Sequence, residues 1–261
     1  MQIHIQQTIQ HIERLALHTW PAQNQKTCDR WILRASQGIT KRGNSVWTST
    51  GTMPSDPDWF SKAESFYHSQ GLPLRFHISD ATDPALLTLL KEKKFTEEVP
   101  CSVFIAAANQ VIEQTRNIHN LFTYTIQEEP DEAWLSHYMD MEGYGQDERK
   151  KIFYDRILKE IPPVKGFITV YSGNTAIAVG TTVIEDGWAG LLNIVVHPFH
   201  RGKGIGKVLI HQLAVWSLGQ GASQLFLQVV NDNEPACRLY QGTGFTPLFA
   251  YHYRCEPNKC S

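Results

Sequence analysis

An α/β fold is predicted by three features of the sequence. Short apolar runs rich in β-branched residues alternate with amphipathic helical patterns along most of the 261 residues. One run, residues 189–196, leads through a glycine-rich turn into a helix. A second, residues 223–230, leads through Asn231-Asp232-Asn233-Glu234-Pro235 into another helix.

Pro198 stops the first strand, and the helix after it is read from Ile205, Val208, Leu209, Leu213 and Trp216, which recur at helical spacing up to Gly219 and Gly221. Between them lies Arg201-Gly202-Lys203-Gly204-Ile205-Gly206-Lys207. Glycines remove side chains where a backbone must approach a ligand or adopt positive φ. The first turn of a helix also has unpaired N–H donors at the positive end of the peptide dipole, so this turn suits a diphosphate. Arg201 and Lys203 add positive charge. The spacing has neither the Gly-Lys-Ser/Thr ending of a nucleotide P-loop nor the dinucleotide fingerprint. Taken alone, the glycines fit close helix packing as well.

In the second segment Asn233 supplies a helix cap, Glu234 an acid in the first turn, and Pro235 a residue whose missing N–H is harmless there. Ala236, Leu239, Tyr240 and Thr243 share one face. Gly242 and Gly244 end the helix, and Phe245 begins the return to the sheet.

The two segments together resemble the GNAT superfamily of acyl-CoA-dependent N-acyltransferases. The resemblance is carried by Val196-x-Pro198 with Arg201, Gly204 and Gly206, and by Asn233, Ala236, Leu239, Tyr240, Gly244 and Phe245, in that family's order and separation. It covers about residues 120 to 255 and implies a mixed central β-sheet flanked by helices. It also implies acetyl-CoA as cosubstrate, lying where the strand before the turn splays from its neighbour. Ile194, Val195 and Val196 would then line the pantetheine arm. Arg201, Gly202, Lys203, Gly204, Ile205, Gly206 and Lys207 would surround the diphosphate, with Asn233 capping its helix, touching the cosubstrate, or both. By the same resemblance Tyr240 protonates the departing thiolate. Elementary chemistry agrees, since a phenol of pKa about 10 can donate to a thiolate whose acid has pKa about 8.5. The alternative for Tyr240 is a core residue whose hydroxyl is satisfied by backbone.

The general base is not evident. Asn193 is the one polar residue in its apolar strand and is placed to hold a water in the cleft, though it is no base itself. Glu185 and Asp186 precede Gly187 and read as a hairpin turn. Glu142, Asp147 and Glu148 flank Gly143-Tyr144-Gly145, where the resemblance puts the acceptor site; they would attract a cationic amine or simply sit at solvated helix ends.

Composition sets the outer bounds. With 42% hydrophobic and 19% charged residues the chain is ordinary globular protein, and a net charge of −2 gives no footing for nucleic acid or a membrane surface. No stretch reaches the roughly 18 apolar residues of a membrane span, and Met-Gln-Ile-His-Ile-Gln-Gln lacks a signal peptide's features, so the cytoplasm is expected. Five cysteines without a CxxC pair suggest reduced thiols, and Cys255 with Cys260 are too few for zinc. His4, His11 and His18 recur every seven residues and read as a polar stripe on an N-terminal helix rather than a metal site.

Two halves are expected: residues 1–105 as a degenerate GNAT-like domain, 106–120 as the connection, and 121–261 as the catalytic domain. Landmarks between Phe66 and Phe95 recur about 150 residues later between Trp216 and Phe245. The earlier copy has residues 50–57 in place of the glycine turn, with Leu89 in place of the tyrosine. Residues 38–46 resemble the N-terminal halves of two-part bacterial GNAT proteins. The expectation is therefore an N-acetyltransferase that moves an acetyl group from acetyl-CoA to an amine of a small molecule or peptide, by direct attack in a ternary complex. The alternative is a non-catalytic acyl-CoA-binding or sensing protein.

Overall fold

The computed structural model describes residues 2–49, 51–117 and 122–257. The chain divides into two compact units, Met1–Ser102 with Leu248–Ser261, and Val103–Pro247. Thr50, residues 118–121, Cys260 and the side chain of His4 lie outside the described residues.

The first unit runs α1 (Gln2–His18), β1 (Asn24–Cys28), β2 (Trp31–Ala35), β3 (Val46–Trp47), α2 (Trp59–His68), β4 (Arg75–Ser79), α3 (Pro84–Glu92) and the start of β5 (Thr96–Ala107). β1 to β4 are neighbours in that order, and residues 251–255 pair antiparallel with β4. Its core is aromatic, with Trp31, Tyr67 and Phe76 fully buried and Trp59 edge-on to Trp31 at 5.1 Å. β3 is short and pairs in parallel with β4 only at Val46 and Trp47. Beyond that point side chains hold the strands together. Thr48 Oγ1 donates to the His77 carbonyl at 2.7 Å and meets Thr82 Oγ1 at 3.0 Å, while the Ser49 and Ser79 hydroxyls meet at 3.0 Å.

The second unit takes over within β5 at Val103 and continues with α4 (Ala108–Thr115), β6 (Thr123–Gln127), α5 (Glu132–Met141), α6 (Glu148–Glu160), β7 (Lys165–Ser172), β8 (Thr175–Glu185), β9 (Trp188–Val196), α7 (Ile205–Gly219), β10 (Gln224–Val230), α8 (Glu234–Gln241) and β11 (Thr246–Cys255). Its strand order is β5-β10-β9-β8-β7-β6, antiparallel from β6 to β9 and parallel between β9 and β10. This is the expected mixed sheet with helices on both faces. Asp131 and Asp147 cap α5 and α6 by accepting from the amides of Trp134 and Lys150. Asp186 and Gly187, both at positive φ, turn the β8–β9 hairpin, the role read for this segment.

The helices occupy opposite faces. Gly180 lies under Leu209 and Leu213 of α7, and Thr182 bonds Ser217 of α7, so the β8 residues between and beside them alternate toward α7 and away from it. Trp134 of α5 packs edge-on to Phe167, which points opposite to Gly166 under Trp216 of α7. Of the segment expected as a connection, residues 106–115 supply the end of β5 and helix α4, which packs on α7 and joins its apolar core. The return strand β11 passes out of the second unit after Pro247 rather than staying with it to the end.

The internal repeat has a structural counterpart. β4, α3 and β5 recur as β10, α8 and β11 about 150 residues on, with Asp83 and Asn233 as matching helix caps. This register sets buried Leu90, not Leu89, in the position of Tyr240. The thiol expectation also needs amending: Cys28, Cys101 and Cys237 are free, whereas Cys255 is disulfide-bonded.

Candidate active site

Between Thr181 and Val179 of β8 the pairing to β9 slips: Thr181 faces Leu192, but Val179 faces Val195. Asn193 and Ile194 thus stand against Gly180 alone, a β-bulge. Asn193 is the bulged residue at φ 53, a conformation that Asn tolerates better than β-branched neighbours would. A bulge bends its strand and sharpens the twist. The consequence appears on the other edge of β9, where the parallel ladder to β10 stops at Leu191 opposite Leu227 although both strands run on. The backbone of Leu192 to Val196 on that edge is left open. In the first unit the equivalent place is stitched by Thr48, Ser49, Ser79 and Thr82.

At the end of β9 a 3₁₀ turn at Pro198–His200 delivers the chain to the glycines. Gly202 and Gly204 take φ 76 and 79, and a Cβ at either would meet nothing within 4 Å. No turn, loop or cap hydrogen bond among the described residues consumes the amides of Gly202, Lys203, Gly204, Ile205 or Gly206. Gly206 differs, because a Cβ there would stand 2.8 Å from Leu239 Cδ2; this glycine permits α7 to pack on α8. Arg201 donates from Nε to the Val196 carbonyl at 3.0 Å and Lys203 from Nζ to the Phe199 carbonyl at 3.2 Å. Lys207 is exposed in the first turn of α7.

One apolar cluster collects Leu191, Ile205, Leu227, Val229 and Tyr240, with Ile194 and Val196 packed against it; Val195 is itself buried on β9. Tyr240 is 6% exposed, its ring held between Phe104 and Phe245 at 6.4 and 6.1 Å. Its hydroxyl has no hydrogen-bond partner among the described residues, so the backbone-satisfied core role does not apply. Burial pushes this phenol well above its ordinary pKa, so it stays protonated. Asn233 accepts from the Ala236 amide at 3.2 Å, which establishes its capping role.

Asn193 Nδ2 donates to Thr181 Oγ1 at 3.3 Å and therefore lies on the α5 face, not the α7 face. Glu142 is the C-cap of α5, the helix that packs on that face. Its side chain is accessible, yet enough protein surrounds it that desolvation raises its pKa, the condition of a group on a cleft wall; Arg201 acts in the opposite sense. Behind it Tyr138, Tyr144 and Tyr154 form an aromatic group, with Tyr144 and Tyr154 stacked at 5.7 Å and Lys150 Nζ 4.0 Å above the Tyr144 ring. Of the other acids considered, Asp147 is committed to its cap and Glu148 begins α6.

Sequence reasoning overlooked Gln228. Its Oε1 is buried without a partner, and a lone glutamine in an apolar strand carries no signal of this.

The bulged strand, the open gap beside it and the glycine turn define an acetyltransferase of the GNAT superfamily. The chain belongs to the family described as "Probable histone acetyltransferase Rv0428c C-terminal", whose model matches residues 7–255. It is 40% identical over 248 residues to "Uncharacterized N-acetyltransferase YobR" of Bacillus subtilis (strain 168), covering 95% of this chain and 98% of that protein. Among solved structures, a GCN5-related N-acetyltransferase from Kribbella flavida has the same fold, with TM-score 0.71 at 12% identity and coverage of 94% and 95% of the two chains. A tandem GNAT protein from the clavulanic acid biosynthesis pathway matches with TM-score 0.60 at 10% identity over 76% of this chain and 68% of its own. No helix among the described residues is long and apolar enough to cross a membrane.

Proposed function

We propose that the second unit binds acetyl-CoA and transfers its acetyl group to a primary amine of a small-molecule or peptide acceptor. The observation that carries this reading is the gap between β9 and β10 past Leu191 and Leu227, opening toward a turn whose amides are uncommitted. The pantetheine arm fits the open edge of Ile194, Val195 and Val196, pairing as a strand would. The diphosphate fits the amides of residues 202 to 206, where Gly202 and Gly204 leave space and the α7 dipole favours negative charge. Arg201, Lys203 and Lys207 add charge, and Asn233 stands at the neighbouring helix start.

The cosubstrate supplies an acetyl thioester at the level of the sheet. On the α7 and α8 face, Tyr240 holds an unpaired O–H ready to donate to the leaving sulfur. On the α5 face, Asn193 and Thr181 hold a polar position for the amine or a water; a cationic acceptor drawn by Glu142 first loses a proton to solvent to give the neutral amine, and Glu142 takes the second proton, lost as the C–N bond forms. The C–S bond breaks as that bond forms, so one proton leaves the amine and one reaches the thiolate. The reading is direct attack by the neutral amine, with no covalent enzyme intermediate.

Isothermal calorimetry with acetyl-CoA, followed by free-thiol release with a panel of primary amines, tests this reading. Binding with amine-dependent thiol release is the expected result. Binding without turnover on any amine would favour a sensing role, and absence of binding would remove the proposal. The first unit, in this reading, lacks a cofactor gap because its strands are stitched by hydroxyl contacts.

A further inference from the structure

We propose that Gln228 recognises the acceptor, its carboxamide holding a hydrogen-bonding group that the acceptor carries beside the reacting amine. This rests on the function proposed above.

Leu225, Leu227 and Val229 of β10 all join the cluster under α7. Side chains alternate along a strand, so Gln228 points to the other face, where α5 packs and where Asn193 meets Thr181. It is also the first residue of β10 beyond the last ladder pair, Leu191 with Leu227, which places it at the opening of the gap. Its carboxamide makes no hydrogen bond to any described residue, and Oε1 is sealed from water. Buried polar atoms in folded proteins are nearly always paired, and an exception asks for a physical reason; a group of the acceptor is the one assigned here. Of the β10 residues on this face, Gln224 and Phe226 lie opposite paired β9 residues, while Gln228 and the exposed Val230 lie beyond the ladder; Gln228 is the polar one of the two.

An amide that both donates and accepts suits an acceptor with a hydroxyl, amide or second amine, and disfavours a plain alkylamine. A site with a buried hydrogen-bonding group rejects an analogue that leaves it unpaired more strongly than an apolar pocket rejects a size change.

The test compares ω-amino alcohols of three to six carbons with n-alkylamines of equal heavy-atom count, in wild type and Gln228→Met. The wild type is expected to favour the better amino alcohol by about tenfold or more in kcat/KM, chiefly through KM. Gln228→Met should remove the preference while leaving acetyl-CoA affinity unchanged by calorimetry, and Gln228→Glu should retain it. If Gln228→Met does not fold, the Gln228→Glu result with the same amines decides. A preference that survives in Gln228→Met or is lost in Gln228→Glu overturns the assignment, as does a wild type that binds acetyl-CoA yet shows no preference or acetylates none of these amines. A wild type that fails to bind acetyl-CoA instead removes the cofactor reading beneath it.

Discussion

Replacing Tyr240 by phenylalanine isolates one oxygen atom. The ring is 6% exposed and wedged between Phe104 and Phe245, so phenylalanine keeps the packing. The hydroxyl has no partner among the described residues, so no hydrogen bond to them is lost, and stability should change by less than about 0.5 kcal/mol. In a chain of this size that is a melting shift of about 2 °C at most. Catalysis should suffer instead: on the proposed role of Tyr240 as general acid, kcat should fall roughly ten- to a thousandfold while acetyl-CoA affinity stays within about threefold. The raised phenol pKa adds a pH signature. A donor whose pKa is pushed up remains protonated as pH rises, so wild-type kcat should show no alkaline loss from this group through pH 9, and the mutant ratio should be flat there. Stopped assays of thiol release, melting curves and calorimetry measure these three quantities. Wild-type kcat in the mutant, with an acceptor for which acetyl transfer is rate-limiting, would make Tyr240 a packing residue; a melting loss of many degrees would make its hydroxyl structural.

At the glycine turn, Gly204→Ala adds a methyl that meets no protein atom, so the strain of φ 79 should lower stability by only about 1–2 kcal/mol, whereas calorimetry should show CoA affinity reduced by about a hundredfold; unchanged affinity refutes the diphosphate cradle. Gly206→Ala should destabilise through Leu239 and lower the melting temperature at least as much, without a ligand-specific loss beyond it. Glu142→Gln should lower kcat/KM for cationic amines. Because folding raises the Glu142 pKa, its carboxylate destabilises the fold increasingly as pH rises through the ordinary carboxylate range, so the mutant's relative stability should rise across that window and then level off; a mutant less stable at neutral pH contradicts the sign. In the first unit, Thr48→Val removes the bonds to His77 and Thr82, and denaturant titration should show a loss of about 1–3 kcal/mol with CoA affinity unchanged; a large loss of affinity would place a cofactor contact in that unit.

Much of the second unit was legible because its signals are local. The cap at Asn233, the stop at Pro198 and the three- and four-residue spacing after Ile205 are each written within a few residues, and the helices formed where those signals stood. The Asp186-Gly187 hairpin is of the same kind, since positive φ at two adjacent positions is a property of the residues themselves. For Tyr240 and the glycine turn, residue identity and spacing suffice to name a resemblance and to nominate atoms.

Legible from local pattern were the order of elements in the second unit, the glycine turn between β9 and α7, and the capping of Tyr240's helix by Asn233. Tertiary structure alone decided the bulge at Asn193, the end of the ladder at Leu191 and Leu227, the passage of β5 and β11 between units, and the unsatisfied Gln228. Strand register depends on a partner far away in the chain, and a one-residue slip turns every side chain to the other face. No local pattern around Asn193 records that Gly180 would oppose two residues, and none around Gln228 records that its neighbour in the sheet would have bent away.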